Sequence, residues 1–167
     1  WVPPSPNMPT VDTAVVYPGM CLLEGTTLSE GRGTTTPFLI FGAPGVPPRD
    51  VAQALNERAL PGVDFVPRVF RPEFGKHGGE LCGGATIRVL DADRVHGLGL
   101  GVHVLDVLNR LAPDAFGWRP DAYEFVEDVP AIDLLWGCRD LREVIEAGGP
   151  VDDLITASDR EAQGFTP

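Results

Sequence analysis

Apolar positions along this chain come in short groups of differing period, which predicts a mixture of helices and strands. Residues 1–10 hold four prolines and no hydrophobic period, so they read as an extended segment. Thr10 is placed as the cap of a short helix with Asp12 in its first turn, and Pro18-Gly19 is expected to stop it. Met20 to Leu23 reads as a short buried strand, after which a polar, Gly-rich loop runs to Pro37. Phe38 to Phe41 is again apolar and short, and Gly42 to Pro48 reads as a loop. Arg49 to Leu60 predicts a helix: Val51, Leu55 and Leu60 fall near one face, and Pro61-Gly62 ends it. Val63 to Phe70 alternates as a strand, with a proline, Pro67, of the kind edge strands tolerate.

Phe74 to Gly84 is a second Gly-rich loop, and Ala85 to Asp91 predicts another strand. Asp93 to Gly101 reads as a glycine-interrupted connection. Val102 to Leu111 then predicts an amphipathic helix with Val104, Leu105, Leu108 and Leu111 on one face, ended by Pro113. Tyr123 to Phe125 reads as a brief strand and Ile132 to Trp136 as a helical turn. Asp140 to Ala147 predicts a helix capped by Asp140 and closed by Gly148-Gly149, and Pro150 to Ser158 starts another. Strands and helices mix without strict βαβ alternation. The expected class is α+β: a mixed small sheet with packed helices in a single domain.

Composition narrows the partners. At 167 residues and 43% hydrophobic content, the chain is long and apolar enough for one core. A net charge of −11 argues against nucleic acid, whose binding needs Lys and Arg, and against anionic membrane surfaces. No apolar stretch approaches the roughly 20 residues of a membrane span. Cys21, Cys82 and Cys138 are widely spaced with no histidine at ligand spacing, so no metal is expected. They read as small buried hydrophobes, with one disulfide plus a free thiol as the alternative. No cofactor motif is present; Gly97-Leu98-Gly99-Leu100-Gly101 lacks the dinucleotide-binding spacing, and no G-x-S-x-G elbow surrounds Ser29.

The chemistry concentrates in two loops. Residues 24–35 hold two carboxylates (Glu24, Glu30), one guanidinium (Arg32), three glycines and five hydroxyls, among them Ser29 and Thr34, with Leu28 the only apolar side chain. These are the groups that grip a polyol or an anion, on a loop that follows a buried run. The same composition also suits a solvated loop in which Arg32 pairs with Glu24 or Glu30. The second loop carries Lys76, His77 and Glu80. Both loops are expected to line one concave face. His96 and His103 have weaker claims, and Trp118 and Trp136 suit either a sugar face or the core.

The stretch Tyr17-Pro18-Gly19-Met20-Cys21-Leu22-Leu23-Glu24-Gly25-Thr26, followed by Ser29-Glu30-Gly31-Arg32-Gly33-Thr34, resembles the bacterial exo-β-N-acetylmuramidases, a family of peptidoglycan-degrading glycoside hydrolases. Pro37-Phe38, Phe41-Gly42-Ala43-Pro44, Lys76-His77-Gly78-Gly79-Glu80-Leu81-Cys82-Gly83-Gly84, Tyr123-Glu124-Phe125 and Ile132-Asp133-Leu134-Leu135-Trp136-Gly137 continue it in order. His77 stands where the family carries an aromatic residue. The resemblance implies that residues 1–37 form a linker and motif loop continuing from an N-terminal Rossmann-like domain, and that 38–167 form the C-terminal α+β domain. It implies removal of terminal N-acetylmuramic acid (MurNAc) from non-reducing ends, with the catalytic glutamate in the N-terminal portion and this chain forming one wall of the cleft. Partners would be a peptidoglycan-derived saccharide and that N-terminal domain, and the location would be secreted or periplasmic.

On this reading Glu24 and Glu30 remain catalytic candidates, but positioning of substrate suits them better. Glu24, Ser29, Glu30, Arg32, Thr34, Lys76, His77 and Glu80 are the candidate saccharide contacts. Arg32 has the sharpest role, because MurNAc differs from N-acetylglucosamine (GlcNAc) by a lactyl ether that ends in a carboxylate. The rival reading is a non-catalytic saccharide-recognition or interdomain structural module.

Overall fold

The computed structural model describes residues 1–164; the last three positions of the expected 38–167 domain lie outside them. The helices are α1 (Val11–Met20), α2 (Pro48–Glu57), α3 (Gly97–Leu111), α4 (Ala131–Trp136), α5 (Asp140–Ala147) and α6 (Val151–Gln163). The strands are β1 (Ile40–Ala43), β2 (Val63–Phe70) and β3 (Cys82–Val89). The class is α+β, and the sheet, in the order β1-β3-β2, is antiparallel throughout. β2 lies at the edge, which is why it accommodates Pro67, a residue with no N–H to give a second neighbour.

Phe41, Phe65, Ala85 and Ile87 of the sheet share one buried core with Val51 and Leu55 of α2 and Val104, Leu105 and Leu108 of α3. Leu141, Ile145 and Val151 extend it into the C-terminal helices. Residues 11–28 belong to the same core through Val16, Met20, Leu22, Leu23 and Leu28. This stretch is therefore built into the fold and does not lie along it as a linker.

Thr10 caps α1, its hydroxyl accepting the Thr13 N–H at 3.1 Å. Pro18-Gly19 does not stop the helix, which runs to Met20 and tightens into a 3₁₀ turn over Cys21–Gly25. Met20 to Leu23 is therefore helical, not a strand, although Met20, Leu22 and Leu23 are buried as their apolar character required. The reason is tertiary. Gly19 lies against α3 so closely that a Cβ would collide with the Gly97 carbonyl and sit 2.7 Å from the Gly101 nitrogen. That packing outweighs the local cost of proline and glycine. The same contact corrects the start of α3: Gly97, Gly99 and Gly101 lie inside the helix. His96 caps it, Nδ1 accepting the Gly99 N–H at 3.0 Å.

Three smaller differences follow from local chemistry. Tyr123 to Phe125 is not a strand but half of a two-residue hairpin, in which Tyr123 and Val126 exchange backbone hydrogen bonds of 3.2 and 2.9 Å. Asp140 lies in the first turn of α5 without capping it, and Arg139 holds the cap position with no side-chain bond. Cys21, Cys82 and Cys138 are all free thiols; Cys82 is buried, whereas Cys138 is exposed.

Candidate functional site

The loop after α1 is mostly inside the protein. Thr26, Leu28, Ser29, Glu30 and Gly31 are buried, Arg32 to Thr34 are half-buried and Thr35 is exposed, so the loop is irregular and packed along one side, and the alternative of a fully solvated loop gives way. Its backbone is tied to β1 by Ser29 and Gly42, whose N–H groups donate to each other's carbonyls at 2.8 and 3.0 Å. The Ser29 hydroxyl accepts the Gly31 N–H at 3.1 Å, and the Thr34 hydroxyl donates to the Gly31 carbonyl at 2.6 Å. Both hydroxyls hold the loop's shape.

The two polar loops meet. Gly33, at φ +81°, packs so tightly on the backbone at Phe74 that only glycine fits, and its carbonyl accepts the Glu73 N–H at 2.9 Å. Lys76 reaches across to donate to the carbonyls of Leu23 (2.7 Å) and Leu28 (3.0 Å), and its Nζ lies 3.0 Å from Glu30 Oε2. His77 Nε2 donates to the Thr27 carbonyl at 2.8 Å, while its Nδ1 lies 3.8 Å from the exposed Glu80 carboxylate.

Arg32 sits at the centre. It donates to Glu24 Oε1 at 2.7 Å, and its Nε lies 3.5 Å from Glu30 Oε1. Its guanidinium stands 5.4 Å above the Phe38 ring, which Tyr17 in turn meets edge-on at 4.9 Å. The second oxygen of Glu24 accepts the Tyr123 hydroxyl at 3.0 Å. Thus Glu24, Glu30, Arg32 and Lys76 form a continuous chain of ion pairs, with Tyr123 at one end and the second loop at the other. The Glu30 side chain is only 6% exposed, but Arg32 keeps 39% of its side chain open to solvent.

Burial sets the electrostatics of this cluster. It pushes the Lys76 ammonium below the usual lysine range, against the pull of the Glu30 and Glu24 carboxylates. It pushes the Tyr123 phenol well above its ordinary value, and Glu24 pushes the same way. Tyr17 is raised for the same first reason, with Cys21 and Glu24 adding to it. Both tyrosines are therefore neutral at physiological pH, and Tyr123 keeps the proton that it donates to Glu24.

The sequence points to Glu24, Glu30, Arg32, Lys76 and His77, which the structure brings together, but not to Tyr123 as a partner of Glu24, nor to Arg119. The Arg119 N–H donates to the Gly25 carbonyl at 2.9 Å, and its guanidinium stands 5.5 Å over the Tyr123 ring. Tyr123 lies 99 residues from Glu24, and no local pattern links them. Trp118 donates to Glu146 Oε1 at 2.8 Å, its ring meeting Phe116 edge-on. His96 and His103 line a separate, largely apolar cavity of about 180 Å³ with Leu60, Val63, Leu100 and Ile155. That cavity shares no residue with the ion-pair cluster. Among the described residues no group of His, Cys, Asp and Glu is placed to hold a metal ion, and no helix is long and apolar enough to cross a membrane.

The fold is that of the DUF1343 family proteins of known structure. One from Bacteroides fragilis superposes with a TM-score of 0.79 at 26% identity, covering 99% of this chain and 44% of its own. A second from the same organism gives 0.63 at 25% identity, covering 98% and 41%. The sequence profile described as "Exo-beta-N-acetylmuramidase NamZ, C-terminal" matches residues 15–167, and the chain belongs to that family. It is 39% identical over 166 residues to the peptidoglycan beta-N-acetylmuramidase NamZ of Bacillus subtilis (strain 168). The match takes in 99% of this chain but spans only 38% of that relative's length.

Proposed function

We propose that this chain supplies one wall of the saccharide cleft of a peptidoglycan-degrading exo-β-N-acetylmuramidase, which releases terminal MurNAc from non-reducing ends. The observation that carries this reading is the ion-pair chain Glu24–Arg32–Glu30–Lys76, which locks two distant Gly-rich loops into one polar surface. A guanidinium clamped between two carboxylates and stacked on Phe38 has its orientation fixed in advance. Its open edge suits the lactyl carboxylate that marks MurNAc. Glu24 and Glu30 have their oxygens facing Arg32, Lys76 and Tyr123, an arrangement that supports a positioning role. The general acid then comes from the part of the longer protein that lies outside this chain. Its substrate would place the protein in the periplasm or outside the cell.

Hydrolysis of a chromogenic MurNAc glycoside tests the division of labour. The longer protein should release the chromophore, and the 167-residue chain should not. Robust release by the chain alone would move the acid into this domain and promote Glu24 or Glu30 to it. Titration of the chain with MurNAc, followed by NMR, should perturb residues 24–35 and 76–80. An unperturbed spectrum would favour the purely structural role.

A further inference from the structure

The hairpin at 123–126 presents an almost fully exposed aromatic side chain, the most exposed of this chain's large hydrophobic residues among those described. Phe125 is 99% exposed at its tip. Large aromatic side chains are normally buried, so this one forfeits the contribution it would make inside a core. Its backbone is unfavourable as well: Glu124 and Phe125 stand at φ 48° and 68°, in the left-handed region that two-residue hairpins fill with Asn or Gly.

The tip is nonetheless held in place. Arg119 is bonded to the Gly25 carbonyl and covers the Tyr123 ring, and the Tyr123 hydroxyl is bonded to Glu24. The hairpin is therefore anchored on the ion-pair cluster, with Phe125 two residues beyond the anchor. Its chain neighbours Asp121, Glu124, Glu127 and Asp128 are exposed carboxylates. A protein-docking patch is a contiguous apolar surface depleted of carboxylates at its centre. A lone ring among hydrogen-bond acceptors matches a pyranose instead, whose C–H face is apolar and whose hydroxyls donate.

We infer that Phe125 is a saccharide-binding residue that stacks on the sugar unit next to the one held at the Glu24–Arg32 cluster. This rests on the cleft reading above. The test uses the longer protein with a MurNAc–GlcNAc disaccharide, comparing wild type, Phe125→Ala and Phe125→Trp. Loss of an aromatic stacking partner should raise KM about tenfold in Phe125→Ala, with kcat changed less than about twofold. Phe125→Trp should restore KM, and inhibition by free MurNAc should stay the same in all three. The melting temperature should not move, because the ring is almost fully exposed against the described residues of this chain. An unchanged KM in Phe125→Ala, with wild type active, would overturn the inference and leave the cleft reading intact. A large fall in melting temperature would also overturn it, by showing that the ring packs against another part of the protein. Absence of MurNAc release by the wild-type protein would remove the cleft reading itself, and the inference with it.

Discussion

Lys76 Nζ lies 3.0 Å from Glu30 Oε2, joining two loops that are 46 positions apart in the chain. The ammonium also satisfies two backbone carbonyls, at Leu23 and Leu28. One side chain thus neutralises a buried carboxylate and closes the turn that follows α1.

Lys76→Met should consequently destabilise the domain strongly. It leaves Glu30 buried beside a half-exposed Arg32 and strands two carbonyls, a combination that costs about 2–4 kcal/mol. Glu30→Gln should cost less, because the carbonyl acceptors of Lys76 remain. Urea denaturation of the two variants checks the order; equal losses would mean that the carbonyl bonds contribute nothing.

Gly19→Ala tests the contact that carries α1 past its proline. The added Cβ meets backbone atoms of Gly97 and Gly101, which no rotamer change can move aside. The expected loss is about 3 kcal/mol, at the upper end for an overpacked core. Gly45→Ala is the control: its Cβ meets open space, and only the φ of +84° opposes it. That variant should lose about 1 kcal/mol. Thermal unfolding measures both.

His103 predicts an acid-sensitive stability. Burial lowers its pKa below the ordinary histidine value of 6.5. Asp152 opposes that shift, Arg58 adds to it, and Asp106 and His96 contribute smaller effects of opposite sign. Between the folded and unfolded pKa values the unfolded chain binds more protons, so stability falls as pH drops from about 6.5 through the folded value. Denaturant midpoints from pH 7.5 to 5 should show this slope, and His103→Gln should flatten it. An identical slope in the variant would assign the acid sensitivity to other groups.

Much of the fold was legible where local pattern and tertiary demand agree. Val63 to Phe70 alternates and is β2, and its Pro67 correctly marks an edge strand. The reading failed where glycine serves packing. Gly19, Gly97 and Gly101 looked like helix breakers, yet they are where α1 and α3 touch, and only the partner helix reveals that. Of the candidate site, the charged residues of both loops were legible because a dense polar, Gly-rich run has no other structural period. Tyr123 and Arg119 were not, since their partners Glu24 and Gly25 lie far away in the chain and nothing in 119–126 encodes that pairing.

The central claim is that Arg32 reads the lactyl carboxylate while chemistry is supplied from outside this chain. Its most direct test is kcat/KM of the longer protein and its Arg32→Ala variant on matched chromogenic glycosides of MurNAc and GlcNAc. Losing a charge-assisted hydrogen bond costs roughly 1.5–3 kcal/mol, so activity on the MurNAc glycoside should fall about ten- to a hundredfold or more. Activity on the GlcNAc glycoside, which has no carboxylate, should fall much less. Equal losses on both sugars would contradict the account, and would reduce Arg32 to the residue that holds Glu24 and Glu30 in place.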